Sequence, residues 1–203
     1  MSKYDSIRFY GDDEVNDRLK VIAHHPMFKS LTHFTFPNKS EEEILEILLS
    51  IHSIQEFHQK VIFKTMERVL ETSSDGLTVS GFENLDPNTS YLYISNHRDI
   101  LLDTSLLNVC LMQQKMVMTA SAVGNNLVQK SFLLDLAKLN RNFIVKRDVS
   151  PRDLLLSSKL MSEYIQHLIK EENRSVWIAQ REGRTKDGID ATHSGVLKMI
   201  AMA

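Results

Sequence analysis

The chain has 203 residues, 42% hydrophobic and 25% charged, with a formal net charge of -2. That suits one domain plus an extension, or two small domains, with enough apolar content to bury a core; a disordered chain is excluded. The charge excludes the global basic bias of a protein that lives on nucleic acid, and the single cysteine, Cys110, excludes an internal disulfide and a thiolate metal cluster.

The first ~75 residues read as helical. A short helix over Asp12 to His25 is stopped by Pro26, and the aromatic stretch from Phe28 to Phe36 ends at Pro37. Ser40-Glu41-Glu42-Glu43 is a capping box ahead of Ile44, Leu45, Ile47, Leu48 and Ile51. A second helix from about Ser53 carries Ile54, Phe57, Val61, Ile62, Met66, Val69 and Leu70 at the spacing of one buried face. The pattern then changes. Leu77-Thr78-Val79-Ser80-Gly81 alternates as a strand does, and Tyr91 to Ser95 is a second strand. A helix over Leu101 to Met112 holds Cys110 as a buried thiol. A strand over Met116 to Ala120, a loop at Gly124-Asn125-Asn126 and a helix over Leu127 to Leu139 follow. Phe143 to Lys146 is a strand, Ser150-Pro151-Arg152-Asp153 opens another helix, and Ser175 to Ala179 is the last strand. Strands alternating with helices predict an α/β fold: an N-terminal helical region over 1–75, then an αβ domain over 76–203 with a mixed or parallel sheet.

Three of these strands hand over to polar clusters. Tyr91–Ser95 leads to His97, Asp99 and Asp103. Phe143–Val145 leads to Lys146-Arg147-Asp148. Val176–Ala179 leads to Gln180-Arg181-Glu182-Gly183-Arg184. Ligands of α/β sheets sit beyond the carboxyl ends of the strands. A histidine that titrates near neutrality, set beside guanidinium groups that grip phosphate oxygens, suits proton transfer on an anionic substrate. Asp99 and Asp103 both compete to partner His97, and Asp99 can instead cap the following helix. Ser95 lacks the Gly-x-Ser-x-Gly elbow of a serine hydrolase. The other histidines have no metal-ligand spacing, so no metal site is expected.

These motifs resemble the glycerolipid acyltransferase superfamily, whose members acylate glycerol 3-phosphate or lysophosphatidic acid. Asn96-His97 with Asp103 is similar to the family's His-x4-Asp motif, with five intervening residues instead of four. Phe143-Ile144-Val145-Lys146-Arg147 resembles the Phe-Ile-x-Arg strand with one extra residue. Trp177 to Arg184 resembles the Glu-Gly-x-Arg motif without its intervening residue. The fourth motif, an apolar-proline strand, would lie beyond Lys198-Met199-Ile200, so the C-terminal part of the domain is expected to be missing.

The resemblance implies His97 and Asp103 as the catalytic pair, and Lys146, Arg147, Glu182, Gly183 and Arg184 around the substrate. It implies no cofactor and no metal, with acyl-CoA or acyl-ACP as co-substrate. The acceptor is a phosphate-bearing glycerol or lysophospholipid. The expected location is cytoplasmic and peripheral to the membrane, with contact through apolar residues of the N-terminal helices, since no apolar run reaches the ~18–20 residues of a spanning helix. The alternative is a non-catalytic lipid- or partner-binding relative with degenerate motifs.

Overall fold

The structure, a computed structural model, describes residues 2–147 and 150–202, so Asp148 of the second polar cluster lies outside the described residues. The chain forms two compact units. One comprises Phe9–Val79 and Val128–Arg141, the other Met1–Arg8, Ser80–Leu127 and Asn142–Ala203.

The first unit is helical: α1 (Asp12–Ile22), α2 (Pro26–Thr35), α3 (Glu41–Leu49), α4 (Ile54–Phe57), α5 (Phe63–Ser73) and, from the later segment, α7 (Ser131–Leu139). Local chemistry sets the helix starts. Ser40 Oγ accepts from the Glu43 amide at 3.2 Å, and Glu43 accepts from the Ser40 amide at 2.8 Å, completing the capping box of α3. Pro26 opens α2 rather than only ending α1, as suits a residue with fixed φ and no amide hydrogen to lose. The helix expected from Ser53 is interrupted by a π turn over His58–Ile62. The extra residue rotates the buried face, so Phe63 is buried while Val69 and Leu70 are half-buried. Val15, Leu19, Phe28, Leu48, Ile51 and Phe57 form the core with Phe132 and Leu139 of α7. There Tyr10 donates a short hydrogen bond to the Asp135 carboxylate, and both residues are buried.

The second unit is a four-stranded, wholly parallel sheet of β1 (Leu92–Ser95), β2 (Thr119–Gly124), β3 (Asn142–Val145) and β4 (Ser175–Ala179), in the order β1-β4-β2-β3. Its helices are α6 (Leu102–Gln113), α8 (Pro151–Lys170) and α9 (Ser194–Ile200). The inner strand β4 is buried along most of its length, as a parallel strand covered on both faces must be, whereas the edge strand β1 exposes Ile94 and Ser95. Phe143, Ile165, Leu168 and Val176 are buried in its core.

Two expectations need correction. Leu77–Gly81 alternates but forms no strand; it is irregular and exposed, because alternation stabilises a strand only where a neighbour pairs with it. The strand expected at Met116–Ala120 runs instead from Thr119 to Gly124. Lys115 adopts a left-handed φ of 56° and Asn108 accepts from the Thr119 amide at 2.7 Å, which delays the start of the ladder.

Candidate functional site

All four parallel strands end on the same edge of the sheet, and there the polar clusters gather. β1 pairs with β4 from Leu92↔Val176 to Ser95↔Ala179, so the residues after Ser95 and Ala179 leave the sheet side by side. The Thr185 amide then donates to the His97 carbonyl at 2.6 Å, and Asn96 donates to the Gly188 carbonyl at 2.7 Å and accepts a short hydrogen bond from Gln180. These bonds fix the loop after β4 against the loop that carries His97.

His97 Nδ1 lies 2.8 Å from Asp103 Oδ2. The same carboxylate accepts from the Arg98 amide at 2.7 Å and from the Asp99 amide at 3.1 Å, so three partners hold it in place. Asp103 sits in the first turn of α6, where unpaired amides favour an anion. The competition between the two aspartates is resolved by geometry. Asp99 Oδ1 accepts from the Leu101 and Leu102 amides, both at 2.9 Å, and caps the helix start. Those amides, Leu102 first, hold the Asp99 carboxyl below its ordinary value, with Arg184 and His97 adding to the effect. The His97 ring meets Trp177 edge to face at 5.8 Å. Trp177 Nε1 donates to Ser95 Oγ at 2.9 Å, and Ser95 donates to the Asn96 carbonyl at 3.0 Å. Ser95 is therefore engaged in supporting the indole that backs the imidazole. With Nδ1 facing Asp103, His97 Nε2 is the ring atom left for other chemistry, and the side chain keeps 20% of its surface open.

On the other side of β4, Arg147 donates a short hydrogen bond to Glu182 Oε1. This contact joins the end of β3 to the loop after β4 across the intervening β2. Neighbouring strands lie about 4.8 Å apart, so the arginine must pass over β2 to arrive. It does so at Gly124, the last residue of β2 and the register partner of Val145. A Cβ at Gly124 would stand 2.9 Å from Arg147 Nε and 3.2 Å from Cδ. Asn125 accepts from the Arg147 amide at 2.9 Å and fixes the base of the arginine. Arg181 organises the next turn: it pairs with Asp190 at 2.6 Å and donates to the carbonyls of Glu182 at 2.8 Å and Arg184 at 3.3 Å. Gly183 has a φ of 75°, a left-handed conformation that only glycine adopts without strain.

The fold thus joins His97 to Asp103 and Arg147 to Glu182, and brings Arg184 within electrostatic reach of Asp99. Lys146 is exposed and enters neither pair. Trp177 and Arg181, which lie in the third motif outside the expected site residues, support the arrangement, and so does Gly124, which the sequence marks only as a loop glycine. Cys110 is buried, and burial raises its thiol above the ordinary value. Among the described residues, no three His, Cys, Asp or Glu side chains group to hold a metal ion, and no helix is long and apolar enough to cross a membrane. A histidine–carboxylate pair can take a proton, and guanidinium groups on the same edge of the sheet can hold an anion.

The sequence model of the Acyltransferase family matches residues 76–203, a span that contains every element of this polar edge. No curated protein matches the chain.

Proposed function

The chain belongs to the Acyltransferase family, and from that membership we propose that it moves a fatty acyl group from a thioester of coenzyme A or acyl carrier protein to a hydroxyl of glycerol 3-phosphate or a lysophospholipid. The observation that carries the reading is the 2.8 Å contact between His97 Nδ1 and Asp103 Oδ2, made by a carboxylate already held by two backbone amides. A carboxylate so anchored fixes the imidazole tautomer with its proton on Nδ1 and leaves Nε2 as a base. Nε2 takes the acceptor hydroxyl proton as the oxygen attacks the thioester carbonyl. The carbon–sulfur bond then breaks, and the imidazolium returns the proton to the departing sulfur. Asp103 stabilises that transient cation. Arg184 and Arg147 bind the acceptor phosphate, with Lys146 close in sequence as a further cation, and Glu182 orients Arg147. Gly183, with its positive φ, lets the loop turn just ahead of Arg184. The acyl chain reaches the protein from a bilayer or a carrier, so the protein works in the cytoplasm at a membrane periphery.

The test is thiol release from acyl-CoA with glycerol 3-phosphate or lysophosphatidic acid. His97→Ala should abolish acceptor-dependent release while leaving the circular dichroism spectrum and thermal melt unchanged. Equal turnover in the variant refutes the assignment. Release that needs no acceptor describes a hydrolase, and lipid binding without release describes a non-catalytic relative.

A further inference from the structure

We propose that Arg181 and Asp190 are positioning residues for the acceptor: their ion pair braces the turn that carries Arg184, and so sets how tightly the acceptor's phosphate is held. The inference rests on the reading above, in which Arg184 binds that phosphate. The Arg181 guanidinium makes three contacts in three directions. Nε meets Asp190 Oδ1 at 2.6 Å, Nη1 donates to the Glu182 carbonyl at 2.8 Å, and Nη2 donates to the Arg184 carbonyl at 3.3 Å. Those carbonyls stand on either side of Gly183, where a φ of 75° turns the chain. One planar fork therefore closes the turn, and the acid holds the fork in place. The Arg184 carbonyl belongs to the same peptide plane as the Thr185 amide, which donates to the His97 carbonyl at 2.6 Å. That single plane is gripped at its oxygen by Arg181 and at its nitrogen by the histidine loop. The side chain it carries, Arg184, lies within electrostatic reach of Asp99.

Asp190 is itself fixed from behind. Its backbone carbonyl accepts from Gln180 Nε2 at 2.6 Å, and the Gln180 amide donates to the Ser95 carbonyl at 2.9 Å, so the acid is tied to the ends of both β1 and β4. Cohesion of the loop does not account for this arrangement. The Asp190 side chain is 5% exposed while its neighbour Ile189 is 86% exposed. Hiding a carboxylate and showing an isoleucine at adjacent positions opposes both the hydrophobic effect and the hydration of charge. Asp190 Oδ2 is also buried with no hydrogen-bond partner among the described residues, which is a further cost to stability. Well-packed apolar residues hold a loop as firmly as a buried ion pair does. They cannot bind two carbonyls at once. What the charged pair adds is the direction of the peptide between Arg184 and Thr185.

The test uses Arg181→Lys in the full chain. Lysine keeps a cation for Asp190 but lacks the fork that reaches both carbonyls. In thiol-release kinetics, KM for glycerol 3-phosphate should rise about tenfold, the low end for a hydrogen bond to a charged group, while kcat and KM for acyl-CoA move by less than about twofold. Asp190→Asn keeps the shape of the acid and serves as the second variant; it should raise the acceptor KM about threefold, because half of the brace remains. Hydrogen exchange on the ligand-free protein gives a readout that needs no turnover. In both variants the Thr185 amide should exchange faster, by about tenfold in Arg181→Lys, while the Val176 amide, bonded to the Tyr91 carbonyl, keeps its rate. An unchanged acceptor KM, or an equal rise in both KM values, overturns the proposal. So does a lower acceptor KM in Asp190→Asn, which would make Arg181 itself the phosphate ligand. If the wild type releases no thiol, the acyltransferase reading falls and exchange decides: a faster Thr185 amide upholds the brace, and an unchanged one overturns it.

Discussion

Replacing Gly124 by alanine tests whether Arg147 needs the open space above β2 to meet Glu182. The added methyl would lie 2.9 Å from Arg147 Nε and 2.4 Å from Asn126 Oδ1. Comfortable contacts begin near 3.5 Å, so the guanidinium must retreat by about half an ångström and the amide by about one. Both obstacles are ends of flexible side chains, so the strain falls on the Arg147–Glu182 contact and spares the sheet. Gly124 is not among the glycines with positive φ, so alanine fits its backbone. Alanine there adds about 0.4–1 kcal/mol by restricting the unfolded chain. The ion pair has 37% and 79% of its side-chain surfaces open, and loosening such a pair costs about 0–1 kcal/mol. Stability should therefore change by less than about 1 kcal/mol. A hydrogen bond to a charged group contributes about 1.5–3 kcal/mol, and losing half of that at the acceptor phosphate raises KM about 3- to 10-fold with kcat little altered. Thiol-release kinetics with the acceptor varied, beside thermal melts, supply both readouts. An unchanged KM would show that Arg147 has another route to its position and would refute the reasoning.

Asp103→Asn keeps the shape of the pair but removes the charge that fixes the imidazole tautomer; kcat should fall by about 10³–10⁴ with the fold intact, and a loss under tenfold would sink the pairing. Asp99→Ala removes the cap of α6 and should cost about 1 kcal/mol at pH 7 by denaturant unfolding. Backbone amides hold the folded Asp99 carboxyl below its unfolded value, so its contribution is complete above about pH 4 and fades as pH falls through the lower folded value. A wild-type–variant gap of equal size at pH 7 and pH 3 would contradict that charge dependence. Tyr10→Phe strips the buried Asp135 carboxylate of its phenol donor, leaving Arg18 4.0 Å away, and should destabilise by about 1–3 kcal/mol. Burial, and then the bond to Asp135, hold the Tyr10 phenol well above its ordinary value, so it donates throughout the working pH range. Unaltered unfolding would count against the bond.

The features set by local chemistry were readable in the sequence. The Ser40–Glu43 and Ser150–Asp153 starts depend on residues three apart, and β4 announced itself as an apolar run with the same bounds the structure gives it. The convergence of three strand ends followed from the alternation of strands and helices. Features set by distant partners were hidden. Leu77–Gly81 has the pattern of a strand and no strand beside it, while β2 begins late because an asparagine on α6 claims its first amide. The passage of Arg147 over Gly124 depends on β2 lying between β3 and β4, an order no local pattern encodes. The partition of α7 into the helical unit is equally invisible, because its apolar face is compatible with either core.

The pairing of β1 with β4 also dictates when the molecule can become active during its own synthesis. Arg147 and Asn125, which tie β3 to β2, are 22 residues apart, whereas Tyr91 and Ser175, at the feet of β1 and β4, are 84 apart. Distant closures are entropically dearer and kinetically later. On the ribosome, the histidine loop emerges long before the strand that will anchor it. Until that strand arrives, a nascent chain carries an edge without a neighbour and an imidazole without its indole support. The His97–Asp103 contact can form locally, but its indole support from Trp177 is a late folding event, and mutations that slow β4 should delay function more than they delay collapse.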